Sequence, residues 1–152
     1  MFTLLFYTSV CAIIAGVFTV MSTIFRPIHK KGDSKPWYAM FAFFILIFSM
    51  PYIYTEGLTK MYGDKMKSAI LDTYQGSEIQ GPMRYFRIVG YRPEKEATAL
   101  VVGSEKESWG GTSRPVLSVH LVKEGNEWKA ESYKIVCCER LNKDGYTFPP
   151  YW

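Results

Sequence analysis

Residues 37–54 read WYAMFAFFILIFSMPYIY and residues 55–75 read TEGLTKMYGDKMKSAILDTYQ. The first stretch holds no Lys, Arg, Asp, Glu or His. In the second, Leu58, Met61, Tyr62, Met66, Ala69, Ile70 and Thr73 recur at helical spacing, with Lys60, Asp64, Lys67 and Asp72 between them. An all-round apolar helix of roughly 20 residues is long enough to cross the hydrocarbon core of a bilayer, where no water pairs with a free backbone group. A helix with one apolar stripe instead lies on a protein core. Pro51, followed by Thr55-Glu56-Gly57, predicts a short break between a membrane span and a new amphipathic helix, which Gly76 stops.

Upstream, Phe2 to Phe25 is equally free of charge, with Leu4, Leu5, Phe6, Val10, Ile13, Ile14, Val17, Phe18, Val20 and Ile24 along it. Together the two runs predict a transmembrane helical hairpin over residues 1–55. Trp37, Tyr38, Tyr52 and Tyr54 suit the half-wet interfaces. A cleaved signal peptide is the competing reading of the first run, which lacks a positively charged start and is long for that purpose. A buried core helix is the other alternative, although such helices normally interrupt the apolar stretch with a charged face.

The connector, residues 26–36, carries Arg26, Lys30, Lys31 and Lys35 against Asp33. Basic loops stay on the cytoplasmic side, so the soluble domain is expected outside: periplasmic, lumenal or extracellular, with a bacterial inner membrane as the favoured setting. Lys60, Lys65 and Lys67 pull the other way, with Glu56 and Asp64 among them. Ser9, Ala12 and Gly16 put small residues on one side of the first helix, a surface for close packing in the membrane or ordinary composition. Neither run holds a Lys, Arg, Asp, Glu or His, the usual marks of a transport path.

Of the net charge of +4, residues 1–55 carry +3, leaving the soluble part nearly neutral. Nucleic-acid binding needs a basic stripe on the folded domain, so no nucleic-acid partner is expected.

Beyond residue 82 the period changes from 3.6 to 2. Met83–Tyr91, Ala97–Ser104, Pro115–Lys123 and Glu127–Cys137 read as strands, and Gly125-Asn126 as the tight turn of the last hairpin. The expected fold is a membrane α-helical hairpin plus an α+β domain over 56–141, one amphipathic helix packed on a four-stranded antiparallel sheet whose other face is free. Residues 142–152 form an aromatic and proline-rich tail. The pattern from Ala97 to Val102, followed by VHLVKEGNEWKAESY over Val119–Tyr133, resembles membrane-anchored NTF2-like or cystatin-like domains and cytochrome oxidase assembly factors. Two spans rather than one depart from the usual anchored form. The resemblance implies a non-catalytic role in assembling or stabilising a larger membrane complex.

Chemical sites are sparse. His29 and His120, the two histidines, fall on separate elements. Cys11 lies in the first apolar run, and the adjacent Cys137 and Cys138 point to opposite faces of a strand, without zinc spacing. The pairs Glu94 and Glu96, Glu105 and Glu107, and Glu124 and Glu127 read as solvated turn charges. No catalytic residue, metal or cofactor is expected. Trp109 in a glycine-containing loop and Phe148, Tyr151 and Trp152 in the stiff tail are candidate interaction residues, with packing against the chain's own domain as the alternative. The expected function is a non-enzymatic accessory or assembly subunit whose partners are larger integral membrane subunits and the lipid bilayer. The alternative is a ligand-binding or sensing module with a pocket lined by Tyr62, Tyr85, Trp128 and Tyr133.

Overall fold

Helix α1 spans Phe2–Ile24, and helix α2 runs without interruption from Pro36 to Gln75. The computed structural model describes residues 2–25, 36–106, 110–147 and 149–150. The chain divides into two units, Met1–Ile53 with Thr147–Tyr151 and Tyr54–Tyr146 with Trp152, so the division falls inside α2. The expected break is absent: Pro51 and Gly57 both lie within the helix. An interior proline costs about 3 kcal/mol and a glycine about 1 kcal/mol. Packing on either side of the junction outweighs that local cost, because helices in proteins are held chiefly by tertiary contacts.

In the first unit, α1 buries Tyr7, Cys11, Ala15 and Thr19, one residue in every four. The Tyr7 hydroxyl donates to the Phe48 carbonyl at 2.9 Å, and its ring lies 5.2 Å from Phe48 and 6.3 Å from Tyr52. Phe18 meets Phe43 at 5.8 Å, so the helices run antiparallel. Both helices are long and apolar enough to cross a membrane. Within the chain, 22% of the apolar window of α1 and 6% of that of α2 are buried. Of the tail, Thr147, Pro149 and Pro150 belong to this unit, and Tyr52 donates to the Pro150 carbonyl at 3.0 Å.

In the second unit the strands are β1 (Met83–Arg92), β2 (Glu96–Gly103), β3 (Glu105–Lys106), β4 (Thr112–Ser113), β5 (Val116–Glu124), β6 (Glu127–Cys138) and β7 (Lys143–Asp144). Five form an antiparallel sheet in the order β1-β2-β5-β6-β7, and β3 with β4 forms a separate ribbon. Register places Ala99 opposite both Ile88 and Val119, and Val101 opposite both Phe86 and Leu117. These residues meet Leu58, Met66, Ile70 and Tyr74 of α2 in the core. Met61, expected on this stripe, is 68% exposed. Gly125 takes φ +64° to turn β5 into β6, a conformation costly for any residue with a side chain.

Two expectations are corrected. The sheet has five strands rather than four: after a 3-10 turn at Glu139–Leu141, Asn142 adopts φ 52° and returns the chain so that β7 pairs with Cys137 and Cys138. Two residues are too few to show periodicity. The face away from α2 is not wholly free, since Leu100, Val102 and Val116 are buried there. β2 is accordingly a near-continuous apolar run rather than an alternating one, as expected of a strand covered on both sides.

Replacing Ile70, fully buried, by alanine should lower the unfolding free energy of the full chain in detergent by about 2–5 kcal/mol. Met61→Ala should change it by no more than about 0.5 kcal/mol. Equal losses at both positions would contradict the stripe assigned to α2.

Candidate interaction site

A buried polar grouping lies where β3, the 3-10 turn and the linker after α2 converge. Glu105, read from sequence as a solvated turn charge, is 3% exposed. Its Oε1 accepts from Arg140 Nε at 2.7 Å and its Oε2 from the Cys138 thiol at 3.7 Å. Arg140 also donates to the Glu78 carbonyl. The hydrogen bond it donates to Glu105 holds the Arg140 guanidinium more firmly protonated than usual. Tyr74 is pushed up first by burial and then by the Glu105 charge, while its hydroxyl donates to the Gly81 carbonyl at 3.2 Å. A carboxylate is tolerated in such a place only when paired and hydrogen-bonded. The sequence signal was available in retrospect: Glu105 follows directly on the buried run of β2, in Val101-Val102-Gly103-Ser104.

Cys138 is buried, whereas Cys137 is partly exposed. Burial first, then Asp144, Cys138 and Glu139, push the Cys137 thiol up, so it holds its proton to higher pH than an ordinary thiol. His120 Nε2 stands 3.6 Å from Glu96 Oε2, and its Nδ1 is buried without a hydrogen-bond partner among the described residues. Its cross-strand partners are Thr98 and Ser132. Among the described residues no group of three or more His, Cys, Asp or Glu is placed to hold a metal.

The four aromatics of the ligand-pocket alternative are not brought together. Tyr62 stacks on Tyr91 at 4.0 Å and Tyr91 meets Trp128 at 6.0 Å, whereas Tyr85 and Tyr133 are 40% and 46% exposed. Open grooves of about 460 and 390 Å³ contain at most one of the four each.

Trp109, Phe148, Tyr151 and Trp152 lie outside the described residues, as do His29 and residues 26–35 of the basic connector. On α1, Ser9 and Ala12 are exposed, and nothing approaches within 4 Å of a Cβ placed on Gly16. This small-residue face is offset from the Tyr7, Cys11, Ala15 and Thr19 face that packs on α2, and it is uncovered in the chain as described. Comparison with protein-family models, curated proteins and solved structures finds no match.

Arg140→Met should strand the Glu105 carboxylate and lower stability by roughly 1–3 kcal/mol, and adding Glu105→Gln should recover part of that loss. A double variant losing the full sum in denaturant titration would show that the pair is not coupled. Alkylation by iodoacetamide should modify Cys137 but not Cys138. Its rate should begin to climb only at a pH above that at which free cysteine reacts, since the raised thiol keeps its proton longer. Stability linked to that proton is present below the ordinary thiol range and is lost as pH rises through the raised value.

Proposed function

We propose that the chain is a non-enzymatic accessory or assembly-stabilising subunit of a larger membrane protein complex, anchored by two transmembrane helices and carrying an extracytoplasmic interaction domain. The observation that carries this reading is the uncovered apolar surface of the hairpin, with 6% of the α2 window buried within the chain. A soluble core helix hides that surface against its own protein. Here the surface calls for lipid or another apolar protein, because exposing it to water costs about 25 cal/mol per Å².

Three further features support a partner besides lipid. The Ser9, Ala12 and Gly16 face is open and admits a neighbouring helix closely. Charge is absent from both apolar runs, which favours a structural span over an ion or substrate path. In the second unit the polar cluster around Glu105 is satisfied by its own neighbours, in keeping with a scaffold rather than a reactive centre. Orientation rests on Arg26, Lys30, Lys31 and Lys35 of the connector, which favour the cytoplasmic side.

Purification from native membranes in mild detergent should bring down larger integral membrane subunits in fixed ratio with this chain. Gly16→Leu should weaken that association while leaving the denaturant midpoint of the sheet unit unchanged. Migration of the wild-type chain alone as a stable monomer would defeat the subunit reading.

A further inference from the structure

The two edges of the sheet are treated differently. Along β1, α2 covers the edge: Thr59 Oγ1 accepts the Ile88 amide at 2.9 Å, and a Cβ placed on Gly63 would meet the Phe86 ring at 3.4 Å. Along β6, β7 pairs with Cys137 and Cys138 and the Gly145 amide donates to the Val136 carbonyl at 2.8 Å, so Glu127–Ile135 has no strand on its outer side among the described residues. An edge of that length presents a row of backbone donors and acceptors ready to pair.

Beside this edge runs an open groove of about 460 Å³ between the flank of α2 and the start of β6. Ala69, Trp128 and Ala130 give it an apolar lining, and Asp72 and Glu127 are exposed at its border. Lysine commonly guards an open edge by charge. Here Lys129 also lines the groove, but its Nζ is engaged by Glu124 Oε2 of the same hairpin at 2.7 Å. Asp72 and Glu127 form no ion pair among the described residues, so the groove sets two carboxylates and one already paired lysine next to the strand edge.

We infer that the β6 edge takes an extended segment of the partner protein as an added strand, with apolar side chains against Ala69, Trp128 and Ala130 and basic side chains opposite Asp72 and Glu127. Main-chain pairing supplies affinity in this mode, and alternate side chains in the groove supply specificity. A second copy of the chain fits less well. His120 pairs with Ser132 and Leu121 with Ala130, so Glu131 is a bulge, and two such strands paired together would break their shared ladder twice. The inference takes from the proposed function only that the chain binds a protein partner.

The test uses the full chain in detergent with four synthetic probes: a hexapeptide alternating lysine and valine, its glutamate and valine and its serine and valine counterparts, and the lysine peptide with alternate backbone nitrogens methylated. The lysine peptide should slow amide exchange within Glu127–Ile135 at least tenfold. The glutamate peptide should bind at least tenfold more weakly, and the methylated peptide should give no protection. Asp72→Asn combined with Glu127→Gln should abolish the preference for lysine while leaving binding of a serine and valine peptide intact, which separates lost charge from lost fold. Unchanged exchange along β6, equal protection by the methylated peptide, or protection that tracks dimerisation would each overturn the inference. Membrane subunits that co-purify in the absence of any peptide effect would refute strand addition alone. Peptide protection in a chain that purifies without subunits would refute the subunit reading alone.

Discussion

One helix carries two different kinds of surface. A helix pairs its backbone groups internally, so the same backbone serves in hydrocarbon and in water, and only the side chains need to change. In α2 they change around Tyr54. Before it the surface is apolar on all sides, and after it Leu58, Met66, Ile70 and Tyr74 form a single buried stripe with charge elsewhere. Because no loop intervenes, Pro51 and Gly57 are carried as local costs. The second half then does two jobs for the sheet, giving it a core and covering the β1 edge through Thr59.

The same unit depends on a buried ion pair for its far corner. Glu105 draws together Arg140 from the 3-10 turn and Cys138 from the end of β6, while Arg140 reaches the linker carbonyl of Glu78. Segments too short to hold themselves, such as β3 and β7, are tied to the sheet around this carboxylate. A charge with so many ligands from its own chain has little left to offer a substrate. That is why the chemistry of the corner reads as structural.

Much of this was legible in the sequence because it follows from periodicity. The charge-free runs, the stripe of α2, the four long strands and the Gly125-Asn126 turn all come from patterns repeated over many residues. What escaped depends on tertiary context. The continuity of α2 through Pro51 and Gly57 is decided by packing on both sides, not by local preference. β7 is too short for any pattern, and Glu105 looks like its neighbour Glu107 until Arg140, 35 residues away, is placed beside it. Of the residues expected to line a pocket, Tyr62 and Trp128 close on Tyr91, while Tyr85 and Tyr133 are 40% and 46% exposed, an arrangement that depends on tertiary packing. On α1 the small residues mark one face, but the contact with α2 is made by the neighbouring face around Tyr7.

The proposed role joins these strands of argument: an anchor whose apolar surface its own chain does not cover, and a domain whose polar groups are mostly occupied with each other. Its central claim is that a single unbroken helix passes from lipid to protein core. Nitroxide labels placed singly from Phe41 to Ile70 in a bilayer, read by their collisions with oxygen and with a water-soluble nickel chelate, test that directly. The account predicts oxygen access and nickel exclusion around the apolar half. Helical periodicity should continue without a gap through Tyr54–Gly57, and nickel access should then alternate around the amphipathic half. A freely nickel-accessible stretch at 55–57, or nickel access throughout 41–50, would contradict it.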